Sequence, residues 1–300
     1  MDPLDRGALV EDLLERTSRT FALAIPLLPE PLRREVGVGY LLFRIADTLE
    51  DAERWPRDQR IAELRAWTAW LATPSITGAE SLANRWASDP PSTNDDYNRL
   101  LGETPTVAAE LLSLEAGAID AVARHAARSA EGMARTLAES DPEGRLRLTT
   151  IEELRRYCYY VAGIVGEMLT ELFARRLDAC PARDALAADS TAFGEGLQLV
   201  NILKDAPDDA IDGRVYLPSG VDRSAVFELA REDLRAAERY AENLQAAGAD
   251  GGVVAFATLP RTLAEETLAT LASTGARKVT REVVAERLDE AQRIAQRRGA

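Results

Sequence analysis

Residues 31–52 read PLRREVGVGYLLFRIADTLEDA and decide the fold class. Apolar residues recur along this stretch at helical spacing rather than in strict alternation, and they cover most of the helix circumference. Residues 151–177 and 186–206 share this character. Because a helix that is apolar nearly all round belongs at the centre of a large bundle, these segments predict the core of an all-α protein.

Most of the remaining chain also carries the helical period. We predict further helices at residues 8–25, 57–72, 106–139, 222–247, 252–273 and 280–297. Thr150 and Glu153 form a capping box that opens the helix beginning near residue 151. Residues 73–105 are rich in Ser, Thr, Asn and Pro, and are expected to form a variable excursion with one short helix. No linker divides the chain, so we predict a single domain over residues 1–300.

The charge and the histidine count narrow the range of functions. The formal net charge of −14 argues against nucleic-acid binding, which needs a basic face. The single histidine, His125, is expected on a solvated helix surface. One histidine supplies neither a zinc site built on paired histidines nor the two Glu-x-x-His motifs of a di-iron site. Cys158 and Cys180 form no CxxC pair.

The chain shows no signal for export or for a membrane span. Its acidic start, residues 1–5, lacks the basic and apolar regions of a signal peptide. The longest apolar runs, such as residues 21–25 and 252–257, are far too short to cross a bilayer. We therefore expect a cytoplasmic protein without a transmembrane segment.

Two carboxylates lie one helical turn apart in the first apolar segment. Asp47 and Asp51 are four residues apart and share a helix face, and Arg44 lies three residues earlier on the same side. Paired carboxylates at this spacing can share a hard divalent cation, and oxygen ligands suit Mg²⁺. Taken alone the pair is a weak signal, because acidic chains carry many such pairs on solvated faces.

A second acidic face lies on another apolar helix. Asn201, Asp205 and Asp209 step by four residues, with Lys204 beside them. Two acidic faces on mostly buried helices, each next to a cation, seldom arise by chance. If the two helices oppose each other, the carboxylates would hold Mg²⁺ between them, and basic side chains such as Arg214 would neutralise a diphosphate.

Several short motifs follow one another along the chain. They are Ser18-Arg19-Thr20-Phe21, Tyr40 with Arg44 and residues 47–51, Gly132-Met133-Ala134, the stretch YCYYVAGIVG at 157–166, and residues 198–209 and 212–218. In order and separation these motifs resemble the squalene/phytoene synthase family, and its squalene synthases more closely. The resemblance covers about residues 17–218, with a weaker match around 252–281. It implies the all-α isoprenoid-synthase helical fold with a central apolar cavity.

The resemblance also implies roles for individual residues. The implied Mg²⁺ ligands are Asp47, Glu50, Asp51, Asn201, Asp205 and Asp209. The implied substrate-binding residues are Ser18, Arg19, Thr20, Phe21, Tyr40, Arg44, Val161, Gln198, Asn201, Lys204, Arg214 and Tyr216. Tyr157 would be a catalytic residue that assists the departure of a proton or of diphosphate, alongside the four aspartates of the metal site.

Two groups of apolar residues have alternative roles. Phe21, Tyr40 and Tyr160 would face the cavity and stabilise carbocations through their ring faces, or Phe21 and Tyr160 would simply belong to the core. The small residues within 161–166 would let a prenyl tail lie close to the helix backbone, or would instead permit tight contact between helices.

Four positions depart from the family pattern. Lys204 stands where Arg is common, and a point charge does not reproduce a bidentate grip. Asp208 replaces a frequent Glu, and Tyr159 replaces a frequent His. Pro207 lies between two implied ligands, where it removes a backbone hydrogen bond and is expected to kink or end the helix. A kink or an end at this position would displace Asp209 relative to Asp205.

The implied reaction is the Mg²⁺-dependent joining of two farnesyl diphosphates through presqualene diphosphate to squalene or a closely related C30 product. NADPH would supply the final hydride, but no Gly-rich dinucleotide fingerprint is present, so this cofactor rests on resemblance alone. One alternative is a phytoene or dehydrosqualene synthase, which needs no reductant. An alternative of another class is a non-catalytic relative that acts as an assembly or binding protein. An apolar product would bring transient contact with a membrane surface, although no basic amphipathic helix predicts it.

Overall fold

The computed structural model describes residues 3–18 and 20–296, with side chains from residue 5 onward. In these residues fourteen α-helices occur: α1 Pro3–Thr17, α2 Phe21–Ala24, α3 Leu32–Glu50, α4 Arg57–Ala72, α5 Ile76–Ser88, α6 Asp95–Gly102, α7 Thr104–Leu112, α8 Ala116–Glu139, α9 Ile151–Cys158, α10 Ile164–Ala174, α11 Pro181–Ile211, α12 Arg223–Ala246, α13 Gly251–Thr274 and α14 Arg281–Ala295. A 3₁₀ turn at Ile25–Leu27 follows α2, and a π-helical turn at Tyr159–Gly163 joins α9 to α10. The all-α prediction is confirmed.

The chain forms two compact units. The first comprises Met1–Ala22 and Arg34–Gly144, and the second comprises Leu23–Arg33 and Arg145–Ala300. The first acidic face therefore lies in the first unit, and the second acidic face lies in the second. The single domain expected from the sequence stays a prediction.

The first unit is organised around α4 and α8, which pack against each other, and α5, which packs against α6 and α7. Trp67 of α4 stacks on Trp70 with ring centroids 4.7 Å apart, and meets the edge of Trp86 from α5 at 6.0 Å. Trp67 and Trp86 are fully buried. Because large aromatic rings bury much apolar surface, this cluster holds α5 onto the unit.

Residues 73–105 form two full helices rather than the one short helix expected. Ser75 precedes α5 and its side chain accepts a hydrogen bond from the Gly78 amide, while the Asn94 side chain accepts from the Asp96 amide at the start of α6. Polar residues of this kind are favoured at helix N-caps as well as in loops. The prediction was wrong because capping residues were interpreted as loop residues.

Two of the predicted helices are interrupted. The helix expected over 8–25 breaks after Thr17, and that expected over 106–139 breaks after Leu112. The Ser18 hydroxyl accepts a hydrogen bond from the Ala22 amide, and the Ser113 hydroxyl donates to the Glu110 carbonyl. Serine side chains compete in this way with the regular hydrogen bonds of the helix backbone, and this competition favours a local helix end.

His125 is buried, with 3% of its surface exposed, so its expected place on a solvated surface was wrong. It lies on the face of α8 where Val122 and Ser129 are also buried, and its Nδ1 is 3.1 Å from Nη1 of Arg128. Asp120, Arg124 and Arg128 step by four residues along the exposed face of α8, and His125 lies outside this face, so its neighbour Arg124 in the sequence was a misleading guide to its exposure.

The second unit is built on α11, which packs against α10, α12 and α13. Glycines allow the closest approach: a Cβ atom on Gly166 would overlap the Ser190 carbonyl oxygen, and one on Gly194 would overlap the Ala162 carbonyl oxygen. For Gly166, helix contact rather than a prenyl tail therefore accounts for the missing side chain.

The helix predicted over 151–177 is divided by the π-helical turn, and it ends at Ala174. Its beginning is as expected, because Thr150 and Glu153 form the predicted capping box. A π-turn rotates the residues that follow it relative to a regular helix, and such turns occur often at functional sites. In this chain the turn comes two residues after Tyr157.

Candidate active site

The first acidic face is formed near the C-terminal end of α3. Asp51 follows the helix and its amide donates to the Asp47 carbonyl at 2.8 Å, so the i, i+4 relationship of the two residues is retained. Asp51 is exposed, and 32% of the Asp47 side chain is exposed. Nη1 of Arg44 lies 3.3 Å from Oδ2 of Asp47. The structure thus pairs the arginine predicted beside this face with one of the two predicted carboxylates.

Arg44 is held in place by Tyr40, one turn earlier. The Tyr40 hydroxyl accepts hydrogen bonds from Nε and Nη2 of Arg44 at 3.2 and 2.7 Å and donates to the Thr17 carbonyl at 3.1 Å. The Phe21 ring lies 5.6 Å from the Tyr40 ring, centroid to centroid. Tyr40 thereby orients the guanidinium that pairs with Asp47.

The ionised form of Asp47 is disfavoured in this structure, because the positive charge of Arg44 only partly offsets the effect of burial. Burial raises the pKa of this carboxyl to about 6, the charge of Arg44 opposes the rise, and the charge of Asp51 adds to it. An additional positive charge at the pair would favour the ionised form, because an opposite charge nearby stabilises a carboxylate.

The other residues predicted around this face differ in exposure. Glu50 is 7% exposed, in contrast to Asp51, so its assignment as a ligand stays a prediction. Ser18 and Thr20 are half-buried. Arg19, predicted to bind diphosphate, lies outside the described residues.

The second acidic face lies on α11, which begins and ends five residues beyond the predicted bounds 186–206. Asn201 is exposed, while Asp205 and Asp209 are half-buried. Nζ of Lys204 lies 3.1 Å from Oδ1 of Asn201 and 3.3 Å from Oδ2 of Asp205. As on the first face, a basic side chain forms an ion pair with one of the predicted metal ligands.

Pro207 does not end the helix as expected. The helix continues to Ile211 with Pro207 inside it, so Asp209 remains on the same helix as Asp205. Proline has no amide hydrogen for the carbonyl four residues earlier, which here belongs to Leu203. Nη2 of Arg223, the first residue of α12, donates to that carbonyl at 2.9 Å.

The loop after α11 is attached to the segment before α9. The Val215 amide donates to the Leu146 carbonyl at 2.8 Å, and the Leu148 amide donates to the Val215 carbonyl at 3.0 Å. Gly213 has a φ of 79°, and a Cβ atom there would lie 2.9 Å from Cγ of Arg145, so the turn requires glycine. The Arg214 amide donates to the Asp209 carbonyl at 2.8 Å.

This attachment brings Tyr216 onto Tyr157. The Tyr157 hydroxyl donates to the Tyr216 hydroxyl at 3.1 Å, and the rings stack with centroids 4.6 Å apart. Both residues are buried, with 5% and 8% exposed. Val161 packs against the same apolar cluster. Gln198 and Tyr160 are half-buried.

The donor set of each acidic face fits Mg²⁺. Each face offers oxygen ligands at four-residue spacing, and no three acidic, histidine or cysteine side chains within the described residues are grouped closely enough to hold a metal by themselves. Mg²⁺ typically binds one or two carboxylates and completes its coordination with water and substrate phosphates. A pair of carboxylates per face suits an ion that arrives with a diphosphate.

Sequence reasoning missed two arginines that contact α11 next to the second acidic face. Arg223 donates to the Leu203 carbonyl, and Nη1 of Arg277 lies 2.6 Å from Oδ2 of Asp208. For Arg223 the sequence held one signal: a proline inside a helix leaves a carbonyl that needs another donor. For Arg277, 69 residues from its partner, no local pattern existed.

No helix in the described part of the chain has both the length and the apolar character needed to cross a bilayer. The expected cytoplasmic location stays a prediction.

Comparison with known proteins gives one consistent result. A sequence model of the squalene/phytoene synthase family matches residues 14–289. The squalene synthase of Schizosaccharomyces pombe is 32% identical over 206 residues, which are 69% of this chain and 43% of that protein. The chain thus spans less than half the length of this relative. The chain belongs to the squalene/phytoene synthase family.

Solved structures share the fold. A complex of TcSQS with the ligand E5700 superposes with a TM-score of 0.77 at 23% identity, covering 97% of this chain and 89% of that one. A dehydrosqualene synthase bound to a ligand gives a TM-score of 0.62 at 20% identity, covering 97% and 96%. The predicted isoprenoid-synthase helical fold is confirmed.

Proposed function

We propose that the protein is a Mg²⁺-dependent prenyltransferase that joins two molecules of farnesyl diphosphate head to head. The observation that carries the proposal is the matched construction of its two acidic faces. On each, two carboxylates lie four residues apart, Asp47 with Asp51 at the end of α3 and Asp205 with Asp209 within α11. A basic side chain lies 3.3 Å from one carboxylate of each pair: Arg44 from Asp47, and Lys204 from Asp205.

The residue types suit diphosphate chemistry. Bound Mg²⁺ would neutralise the diphosphate and make it a good leaving group. Asp47 and Asp51 would hold Mg²⁺ at the first face, and Asp205 and Asp209 would hold it at the second, with Asn201 as a further ligand there. Arg44 and Lys204 would take up charge on the diphosphate oxygens, because positioned cations stabilise the negative charge that develops on a leaving group.

In the first half-reaction the C1–O bond of one farnesyl diphosphate breaks, and the allylic cation is captured by the double bond of the second molecule. A proton leaves as the cyclopropane of presqualene diphosphate closes. Tyr157 is the residue we propose to assist this proton, since general acid–base groups act within hydrogen-bond reach. Its hydroxyl already has an oxygen partner in Tyr216. Apolar side chains around the pair would keep water from the cation.

In the second half-reaction the remaining diphosphate departs, the carbon skeleton rearranges, and a hydride from NADPH gives squalene. The use of NADPH is proposed from family membership. Squalene synthases are among the relatives, which supports the reductive outcome. A phytoene or dehydrosqualene synthase would carry out the same first half-reaction and need no hydride donor.

The test is a product assay by mass spectrometry. The purified protein is incubated with Mg²⁺ and either farnesyl or geranylgeranyl diphosphate, with and without NADPH. Squalene formed only with NADPH is the expected result, and Asp47→Asn should abolish it. Asp58→Asn is the matched control, because Asp58 is an acid of the same unit that is 83% exposed and pairs with Arg57.

Other products would assign a different reaction to the protein. Dehydrosqualene from farnesyl diphosphate, or phytoene from geranylgeranyl diphosphate, would assign the non-reductive reaction. If neither substrate is consumed, the catalytic proposal is wrong, and the non-catalytic alternative takes its place.

A further inference from the structure

Two features destabilise the C-terminal part of α11. Asp205, Asp208 and Asp209 lie near the C-terminal end of the helix, and the last turn contains no basic residue. Negative charge is unfavourable there, because the helix dipole places partial negative charge at this end. Pro207 adds the second feature, since it leaves the Leu203 carbonyl without its usual amide donor.

One contact made by Arg223 counteracts both the negative charge and the missing hydrogen bond. Its Nη2 donates to the Leu203 carbonyl at 2.9 Å, which replaces the missing bond and brings positive charge to the part of α11 that carries the three aspartates. The Arg223 guanidinium also lies over the Phe227 ring, 5.5 Å from its centroid. The backbone of Arg223 is fixed as well, because Asp222 caps α12 by accepting from the Ser224 amide.

We propose that Arg223 is a positioning residue for the second acidic face. By pairing the carbonyl that Pro207 leaves open, it keeps α11 continuous past the proline and so holds Asp209 in register with Asp205. This inference rests on the proposed function, in which these two aspartates meet Mg²⁺. Arg223 itself need not touch substrate.

Arg231 provides a matched control on the same helix. Its guanidinium lies over the same Phe227 ring, 5.9 Å from the centroid, and it pairs with Glu228 rather than with α11. Arg231→Ala therefore removes one arginine and one ring contact from α12 but leaves the Leu203 carbonyl paired. Arg223→Ala removes both the ring contact and the carbonyl bond.

The first measurement is amide hydrogen exchange of residues 204–211 in the metal-free protein. Arg223→Ala should speed exchange there by about tenfold, because a frayed helix end opens more often. Arg231→Ala should leave exchange unchanged. Equal exchange in the two variants would overturn the proposal. If Arg223→Ala does not fold, Arg223→Lys, which keeps one donor and the charge, should show a smaller change in the same direction.

The second measurement is the Mg²⁺ concentration that gives half of the thermal stabilisation by Mg²⁺ with inorganic diphosphate. We expect it to rise by about tenfold in Arg223→Ala, the lower end of what losing a contact that orients metal ligands costs. It should stay at the wild-type value in Arg231→Ala. Faster exchange with an unchanged Mg²⁺ requirement would mean that Arg223 only stabilises the helix, and the positioning role would be wrong.

A substitution at Pro207 tests directly whether Arg223 acts through the Leu203 carbonyl. Pro207→Ala restores an amide donor for the Leu203 carbonyl, so adding Arg223→Ala to that variant should change exchange and Mg²⁺ requirement by less than about threefold. An effect as large as in the wild-type background would show that Arg223 does not act through this carbonyl, because independent sites add in a double-mutant cycle.

Failure of the proposed function is distinguishable from failure of this inference. A wild-type protein that forms no product and gains no stability from Mg²⁺ and diphosphate refutes the function. Hydrogen exchange then still decides whether Arg223 holds the end of α11. An active wild type, with Arg223→Ala and Arg231→Ala alike in both measurements, refutes the inference alone.

Discussion

The hydroxyl of Tyr157 donates a hydrogen bond to the hydroxyl of Tyr216, 59 residues along the chain, and the two buried rings stack. The role of Tyr216 in holding diphosphate stays a prediction, and the structure shows its hydroxyl as the partner of the proposed catalytic tyrosine. Substituting either residue by phenylalanine keeps the stacked ring and removes one hydroxyl.

Tyr157→Phe should lower turnover by about 100-fold, in the range that general acid–base groups contribute. Tyr216→Phe should lower it less, by about tenfold, because it would only release the Tyr157 hydroxyl from its partner. Steady-state turnover of farnesyl diphosphate, with melting temperatures as the check on folding, measures both. Full activity in Tyr157→Phe would remove this residue from the chemistry.

Asp47→Asn should stabilise the metal-free protein and abolish its response to Mg²⁺. Burial raises the pKa of Asp47 to about 6, so at pH 8 the folded state carries a charge that it disfavours. The neutral amide avoids that penalty, and we expect a gain of about 1 kcal/mol. Thermal melts at pH 8, with and without Mg²⁺ and diphosphate, measure the two effects. A variant that is still stabilised by Mg²⁺ as strongly as the wild type would contradict this assignment.

The wild-type protein should bind Mg²⁺ less tightly as the pH falls through about 6, because a proton then competes for Asp47. A Mg²⁺ titration followed by melting temperature between pH 5 and pH 8 tests this. Asp47→Asn should lose the pH dependence together with the binding.

Gly166→Ala should destabilise the second unit by roughly 2–4 kcal/mol, because the new Cβ atom would overlap the Ser190 backbone and force α10 and α11 apart. Gly102→Ala is the control: Gly102 is a helical glycine with open space where its Cβ would lie. Alanine there should be neutral or stabilising by up to about 1 kcal/mol. Denaturant unfolding compares the two variants, and equal stabilities would refute the close helix contact.

A buried acidic pair, Glu195 and Asp233, predicts how stability depends on pH. Nη1 and Nη2 of Arg155 lie 3.0 and 3.3 Å from their respective carboxylates, so two buried acids share one cation. Burial raises the pKa of Glu195 to about 7, and the charge of Asp233 adds to the rise while Arg155 opposes it. Burial raises the pKa of Asp233 as well.

An acid whose pKa is raised on folding binds protons more tightly in the folded state, so stability falls as the pH rises from its unfolded pKa towards its folded pKa. For Glu195 this interval runs from 4.5 to about 7. The wild type should lose up to about 3 kcal/mol over it, and Glu195→Gln should lose less. Urea unfolding at several pH values measures the slopes, and parallel curves for the two proteins would count against the raised pKa of Glu195.

Local pattern was sufficient for the positions of most helices and for each acidic face. The bounds of α4 agree with the predicted 57–72, and the capping box at Thr150 and Glu153 is present, because helical period and capping depend on residues within one or two turns. The pairing of Arg44 with Asp47 was predictable for the same reason, since residues three apart on a helix are neighbours.

The helix breaks were not predictable from the period. They depend on single side-chain hydrogen bonds, such as that between Ser18 and the Ala22 amide, which compete with the backbone by small free-energy differences. Pro207 is the reverse case. The sequence predicted a kink or an end of the helix, and a donor on another helix supports the continuation.

By itself, then, the sequence determined the all-α class, the positions of most helices, the two acidic faces and the resemblance to the family, because each of these is recorded in residues close together in the chain. The tertiary structure alone decided that Tyr216 meets Tyr157 and that Arg223 reaches the Leu203 carbonyl. These contacts join residues on different elements, and their formation depends on how helices and loops pack against one another, which no local spacing encodes.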